Sequence, residues 1–140
     1  MSNAIAMDYT VSPDDFSRAG EASSSVKQRL KRLGIPPPVI RRVAIALYEG
    51  EINMVIHANG GTIHVEIMPS YIKMVLSDTG PGILDIEQAM QAGWTTASDT
   101  ARNLGFGAGM GLPNMKNNTD EMNIETVVGQ GTVITMVVNI

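Results

Sequence analysis

Residues 63–82, Ile63-His64-Val65-Glu66-Ile67-Met68-Pro69-Ser70-Tyr71-Ile72-Lys73-Met74-Val75-Leu76-Ser77-Asp78-Thr79-Gly80-Pro81-Gly82, decide how this chain folds. Ile63, Val65 and Ile67 alternate with polar residues, Pro69-Ser70 marks a turn, and extended character resumes from Ile72 to Leu76, which predicts a hairpin of two strands. A second pair of strands is predicted at Met122 to Val127 and Thr132 to Asn139, around a Gly129-Gln130-Gly131 turn. Tyr9 to Val11 reads as a further short strand.

Helical signals surround these strands. Ser12-Pro13-Asp14-Asp15 reads as a cap, a proline at the first helical position and acids in the first turn. Phe16, Ala19, Val26, Leu30 and Leu33 then recur at helical spacing and Gly34 supplies a left-handed stop, so a helix is expected over 13–33. Pro36-Pro37-Pro38 reads as an extended connection. From Val39 the residues Ile40, Val43, Ala44, Leu47, Ile52, Val55 and Ile56 support a second long helix ending near Asn59-Gly60-Gly61. Asp85 to Ala92 can form a short helix, the glycine-rich stretch up to Gly111 reads as a mobile loop, and a third helix is expected from Leu112 or Pro113 to Asn118. Paired strands with helices between them favour an α/β (α+β) two-layer sandwich: a mixed, mostly antiparallel sheet covered on one face by helices.

The 140 residues fit one domain, expected over 7–140. Met1-Ser2-Asn3-Ala4 has the look of a vector-derived leader, with a natural start at or near Met7, so 1–6 are set aside. Hydrophobic residues make up 44% and charged residues 17% of the chain, a globular composition. Cysteine is absent, which excludes disulfides, thiolate metal sites and a cysteine nucleophile. A net charge of -4 argues against direct nucleic-acid binding. No apolar run is long enough to span a membrane, so the cytoplasm is the expected location.

Glu49 and Asn53 lie four apart on the second helix and therefore on one face. An Asn amide oxygen can ligate Mg²⁺ without adding charge, and a neighbouring carboxylate can position or deprotonate a nucleophile. Taken alone, Glu49 reads as a solvated charge beside Arg41, Arg42 and Glu51. Gly50, between the two, costs roughly 1 kcal/mol in a helix interior, for which close packing is the expected reason. Asp78, at a strand end before Gly80 and Gly82, can accept a hydrogen bond from an adenine amino group or open an Asx turn, and the two roles are compatible.

Gly105, Gly107, Gly109 and Gly111 alternate with Phe106, Ala108 and Met110, a pattern that lets backbone N–H groups converge on phosphate oxygens, with Leu112 onward adding a helix start. It is neither a Walker A loop, because no Gly-Lys-Ser or Gly-Lys-Thr follows, nor a Rossmann turn, because no strand immediately precedes it.

Glu49-x-x-x-Asn53, Asp78-x-Gly80-x-Gly82, Gly107-x-Gly109-x-Gly111 and Gly129-x-Gly131-Thr132 resemble, in order, the N box and the three glycine boxes of the GHKL ATPase superfamily, whose ATP-binding unit is the Bergerat fold. Within it the chain is most similar to bacterial anti-sigma regulatory serine/threonine kinases, particularly the RsbT-like switch-kinase branch. That likeness extends through Gly93-Trp94-Thr95-Thr96 and Thr119-Asp120-Glu121-Met122. The resemblance implies that ATP or ADP is bound with Mg²⁺ on Asn53, that Asp78 reads adenine beside Gly80, Gly82 and Ile83, and that Thr132 supports the adenine end. It places Thr95 and Thr96, the lid from Gly105 to Gly111 and Leu112 against the nucleotide, and makes Glu49 the catalytic base toward a protein hydroxyl.

The implied partner is a STAS-domain anti-anti-sigma-like protein, phosphorylated on serine or threonine within a partner-switching circuit. A sigma factor or other switch target and a homodimer are further implied partners. Some sigma-binding members carry an arginine just before the final Gly-x-Gly of the lid; here Gly107-Ala108 stands there, a departure that weakens the implication of a direct sigma-factor grip. The alternative is a nucleotide-gated module that sequesters a regulator without phosphoryl transfer. A split histidine kinase fits less well, since no room remains for a phosphoacceptor helix pair.

Other residues invite plainer readings. His57 and His64 flank a helix-strand turn without a clustered acid and are read as turn or surface residues. Met54, Met68, Met74, Met115 and Met136 are expected in the core. Arg29, Lys31, Arg32, Arg41 and Arg42 form a solvated basic face or meet an acidic partner, and Trp94 and Phe106 either anchor a partner or pack the closed loop.

Overall fold

Alternating apolar residues build every strand of the sheet. The computed structural model describes residues 4–12, 16–58, 60–83, 86, 90 and 111–140. Strands β1 (Ile5–Val11), β2 (Gly61–Ile67), β3 (Tyr71–Asp78), β4 (Glu121–Val127) and β5 (Gly131–Asn139) form one sheet in the order β1-β2-β3-β5-β4. All four pairings are antiparallel, so the mixed sheet expected from the sequence is antiparallel throughout its described strands. The predicted hairpin is β2–β3, closed by Met68 N–H donating to Tyr71 O at 2.8 Å.

Registers define two ends of the sheet. Ile5, Ile67, Tyr71 and Asn139 share one end; Val11, Gly61, Asp78 and Thr132 share the other. The first strand starts at Ile5, before the short segment predicted, and takes in Ile5 and Ala6, which pair with Ile67 and Glu66.

One sheet face is dry. Ile63, Val65, Ile72, Met74, Leu76, Met136 and Val138 are buried beneath the helices, while the alternate residues, such as Lys73, Val75 and Thr135, are only half-buried. Helix α2 (Pro37–His57) crosses this face and touches β1, β3 and β5, with α1 (Glu21–Arg32) and α3 (Gly111–Asn117) packed against it. Val43, Ala46, Leu47 and Val55 of α2 join Val26 and Leu30 of α1 in the core. Met54, Met74, Met115 and Met136 are buried as expected, and Met68 sits half-buried at the hairpin turn.

Two helix boundaries differ from the sequence expectation. The first helix does not run over 13–33: a single 3-10 turn, Phe16–Arg18, precedes α1, and Gly20 separates them with φ 97°. A Cβ at Gly20 would meet the Tyr48 ring at 3.1 Å, so the chain turns sharply there against α2. Pro13-Asp14-Asp15, read as the helix start, lie outside the described residues. The stop is as predicted: Gly34 N–H donates to Lys31 O and Ile35 N–H to Leu30 O, the paired bonds of a left-handed glycine cap. The second helix begins at Pro37, two residues before the position expected. Prolines are tolerated in the first turn because their missing N–H groups would have no helical partner there, and Ile40 N–H closes onto Pro36 O at 3.1 Å. The short helix expected at Asp85 to Ala92 falls mostly outside the described residues, apart from a bond from Met90 N–H to Ile86 O.

Candidate nucleotide site

The end of β3, the C-terminal half of α2, the start of α3 and the β4–β5 turn converge at one end of the sheet. Gly50, two-thirds of the way along α2, is what lets them meet. A Cβ there would collide with Leu76 of β3 and approach Met115 Cε of α3 at 3.3 Å. The packing reason expected for this glycine is therefore present, and it falls between Glu49 and Asn53.

Asp78 is fixed by two backbone donors: Gly80 N–H at 2.9 Å and Thr132 N–H at 3.3 Å, both onto Oδ1. The first is the Asx turn foreseen in the sequence; the second ties Asp78 to β5. Among the described residues Oδ2 accepts no hydrogen bond, which leaves it available to an external donor. Gly80 lies against Ala58 at the end of α2, where a Cβ would come within 2.9 Å of Ala58 Cα. Gly82 holds φ 78°, a Cβ there would stand 2.7 Å from Val127 O, and Pro81 O accepts from Gly129 N–H at 2.9 Å. The Asp78-to-Gly82 run is thus strapped to the β4–β5 turn.

Thr126 was not singled out in the sequence, yet it is the hub of this corner. Its hydroxyl accepts from Ile83 N–H at 2.8 Å and lies 2.9 Å from the hydroxyl of Thr132, which is buried. The signal that would have found it is the β4–β5 register, which sets Thr126 opposite Thr132.

Asn53 faces the first residue of α3. A Cβ on Gly111 would stand 2.9 Å from Asn53 Oδ1, so glycine at 111 is what leaves the amide uncovered. Asn53 Nδ2 makes a long contact to Met115 Sδ at 3.8 Å, while Oδ1 has no hydrogen bond among the described residues. Glu49, half-buried one turn earlier, accepts from Asn114 Nδ2 at 3.3 Å. The residues fit a magnesium-bound nucleoside triphosphate: a neutral amide oxygen without a partner among the described residues suits a hard cation whose other ligands are phosphate oxygens and water. Among the described residues no cluster of three acids or histidines competes for that role. Leu112 is buried and anchors α3. Thr95, Thr96, Gly105, Gly107, Ala108, Gly109 and Met110, and with them Trp94 and Phe106, lie outside the described residues.

Two titratable residues have surroundings that the sequence did not suggest. Glu51 is not a solvated charge; it is 3% exposed, and its two oxygens accept from Ala22 N–H at 3.1 Å and Ser23 N–H at 3.0 Å. It caps α1 from a neighbouring helix, supplying what Gly20 lacks. His64 does have clustered acids: Nδ1 is 2.6 Å from Asp8 Oδ1 and Nε2 is 3.2 Å from Glu66 Oε1. Those bonds, Asp8 first, raise its pKa above the ordinary histidine value. The histidine stands on the outer sheet face at the middle of β2, in the surface role expected. On α2, burial and then the charges of Glu49 and Glu51 raise the pKa of Tyr48.

The family model for the histidine kinase-like ATPase domain matches residues 12–138. The chain belongs to this family. As a histidine kinase-like ATPase domain it carries an ATP-binding fold. It is 32% identical over 108 residues to the serine/threonine-protein kinase RsbT of Bacillus subtilis, covering 74% of this chain and 75% of that protein. It is 35% identical over 107 residues to the anti-sigma F factor of Caldanaerobacter subterraneus, covering 71% of each. Among solved structures, the mycobacterial sensor histidine kinase MprB aligns with a TM-score of 0.54 over 96% of this chain and 97% of that one, at 16% identity, a likeness of fold. No described helix is long and apolar enough to cross a membrane.

Proposed function

We propose that this ATPase domain is a protein serine/threonine kinase of a partner-switching, anti-sigma-type circuit, and that it phosphorylates a STAS-domain antagonist in the cytoplasm. The observation that carries the reading is the pairing on α2 of Asn53, whose amide oxygen has no partner among the described residues, with Glu49, a half-buried carboxylate one turn away. Asn53 would hold Mg²⁺, which when bound neutralises charge on the β- and γ-phosphates. Asp78 Oδ2 accepts the adenine amino group, and the bonds from Gly80 and Thr132 hold the carboxylate still for it. Glu49 takes the proton of the incoming serine or threonine hydroxyl, so positioning and one base do most of the work.

Support for this substrate class comes from the relative named as a serine/threonine-protein kinase. Incubation with γ-labelled ATP, Mg²⁺ and a cognate STAS protein is expected to label that protein, and the label is expected to vanish in Glu49→Ala. Absence of label with the correct partner overturns the kinase reading. The relatives named anti-sigma F factor favour a second reading, in which the nucleotide gates sequestration of a sigma factor. A stable, nucleotide-dependent complex with a sigma factor, formed without phosphate transfer, is its signature.

A further inference from the structure

We propose that Asn114 is a positioning residue for Glu49, and that α3 thereby couples the phosphate end of the site to the base. This inference rests on the kinase reading above. Asn114 Nδ2 donates to Glu49 Oε1 at 3.3 Å, a bond joining residues 65 positions apart on two different helices. A neutral donor on one carboxylate oxygen restricts rotation of the side chain and leaves Oε2 as the oxygen that receives a proton. The proton passes from the attacking hydroxyl to Glu49 as the new oxygen–phosphorus bond forms and the bond from the γ-phosphorus to the bridging oxygen of ADP breaks.

The rest of α3 explains why the donor sits there. Gly111 lies on the Asn53 amide, and Met115 touches both Gly50 and Asn53. Within five residues, α3 thus contacts the metal-binding candidate, the helix between and the base. Its attachment does not depend on the Asn114 side chain: Leu112 and Met115 are buried, and Asn118 Nδ2 bonds the Asn114 backbone oxygen at 2.8 Å. Asn114 itself is only half-buried. Removing its amide therefore frees Glu49 without unpacking the helix.

The test measures ADP formation from Mg²⁺ and ATP against pH, with the phosphoacceptor protein from the labelling assay, alongside binding of a fluorescent ATP analogue. Asn114→Ala is expected to lower kcat by about tenfold while KM for ATP and analogue affinity stay within about twofold. Asn114→Asp sets a like charge against Glu49 and disfavours its ionised form, so the acid limb of the kcat profile moves to higher pH. Asn114→Gln, which keeps an amide donor, recovers part of the rate. If Glu49→Ala is inactive but Asn114→Ala and Asn114→Asp keep the wild-type rate and profile, the positioning role is overturned and the base stands. If affinity falls in step with rate in Asn114→Ala, the residue is structural and the proposal fails. Wild type and Glu49→Ala with equal turnover, or with none, remove the base assignment and this proposal with it.

Discussion

Asp78 and Asn53 illustrate how a side chain becomes available to a ligand. Each is held by one part of its polar group while another part has no partner among the described residues: Oδ1 of Asp78 takes two backbone donors, and the Asn53 amide nitrogen rests on the Met115 sulfur. Asp78→Asn replaces an acceptor-only carboxylate by an amide that can present a donor to adenine. Asn53→Ala deletes the oxygen proposed to hold the metal. Both variants are expected to lose the rise in melting temperature that Mg²⁺ and ATP give the wild type, a stabilisation that amounts to about 2.7 kcal/mol when ligand is a hundredfold above Kd. Differential scanning fluorimetry with and without nucleotide reads this directly, and undiminished shifts in both variants would contradict the pocket. These residues were legible in the sequence because their spacing and the glycines around them are local. Asn114 and Thr126 were not, since each acts on a partner that only the packing of α3 or the pairing of β4 with β5 brings near.

At the scale of elements, strands were read well and helix starts poorly, for one physical reason. Strand alternation reports which face is buried, a property written along each segment. Helix starts depend on what satisfies their free N–H groups, and for α1 that is Glu51, some 28 residues away. Gly20 at the cap position offers no side chain, so the carboxylate from α2 is the acceptor for Ala22 and Ser23. Glu51→Ala leaves two buried donors without partners and is expected to cost about 2–4 kcal/mol in urea unfolding. Glu51→Gln retains an acceptor oxygen and is expected to cost less. Equal stability of Glu51→Ala and wild type would mean that water takes over the cap.

For the whole molecule, two surface ties respond to pH in opposite directions. His64 joins β1 to β2 through Asp8, and its raised pKa means the protonated form is stabilised by folding. That contribution is fully present below the unfolded value near 6.5 and is lost as pH rises through the higher folded value. Asp120 binds Asn139 N–H at 2.7 Å and the Arg42 guanidinium, and those bonds, the backbone one first, lower its pKa. Its contribution is present above the unfolded value of 3.8 and is lost as pH falls through the lower folded value. Both pairs are partly exposed and therefore screened by salt. Unfolding measured between about pH 6 and about pH 9 should lose stability with rising pH in the wild type, and His64→Gln should flatten that slope. A slope unchanged by His64→Gln would assign the loss elsewhere.

The sheet registers place Ile5 and Asn139 at the end remote from Asp78 and Thr132, three strand positions apart in the order β1-β2-β3-β5. Three inter-strand spacings amount to about 14 Å, which about six extended residues can bridge. The chain can therefore be rewired. Joining those two ends with a short glycine-serine linker and cutting at the Pro69-Ser70 turn gives a circular permutant with its new termini at the same remote end. Such a permutant is expected to keep ATP-dependent thermal stabilisation, because α2, α3 and the Asp78 corner stay covalently intact. It would also let a reporter be fused at a strand junction without approaching the site.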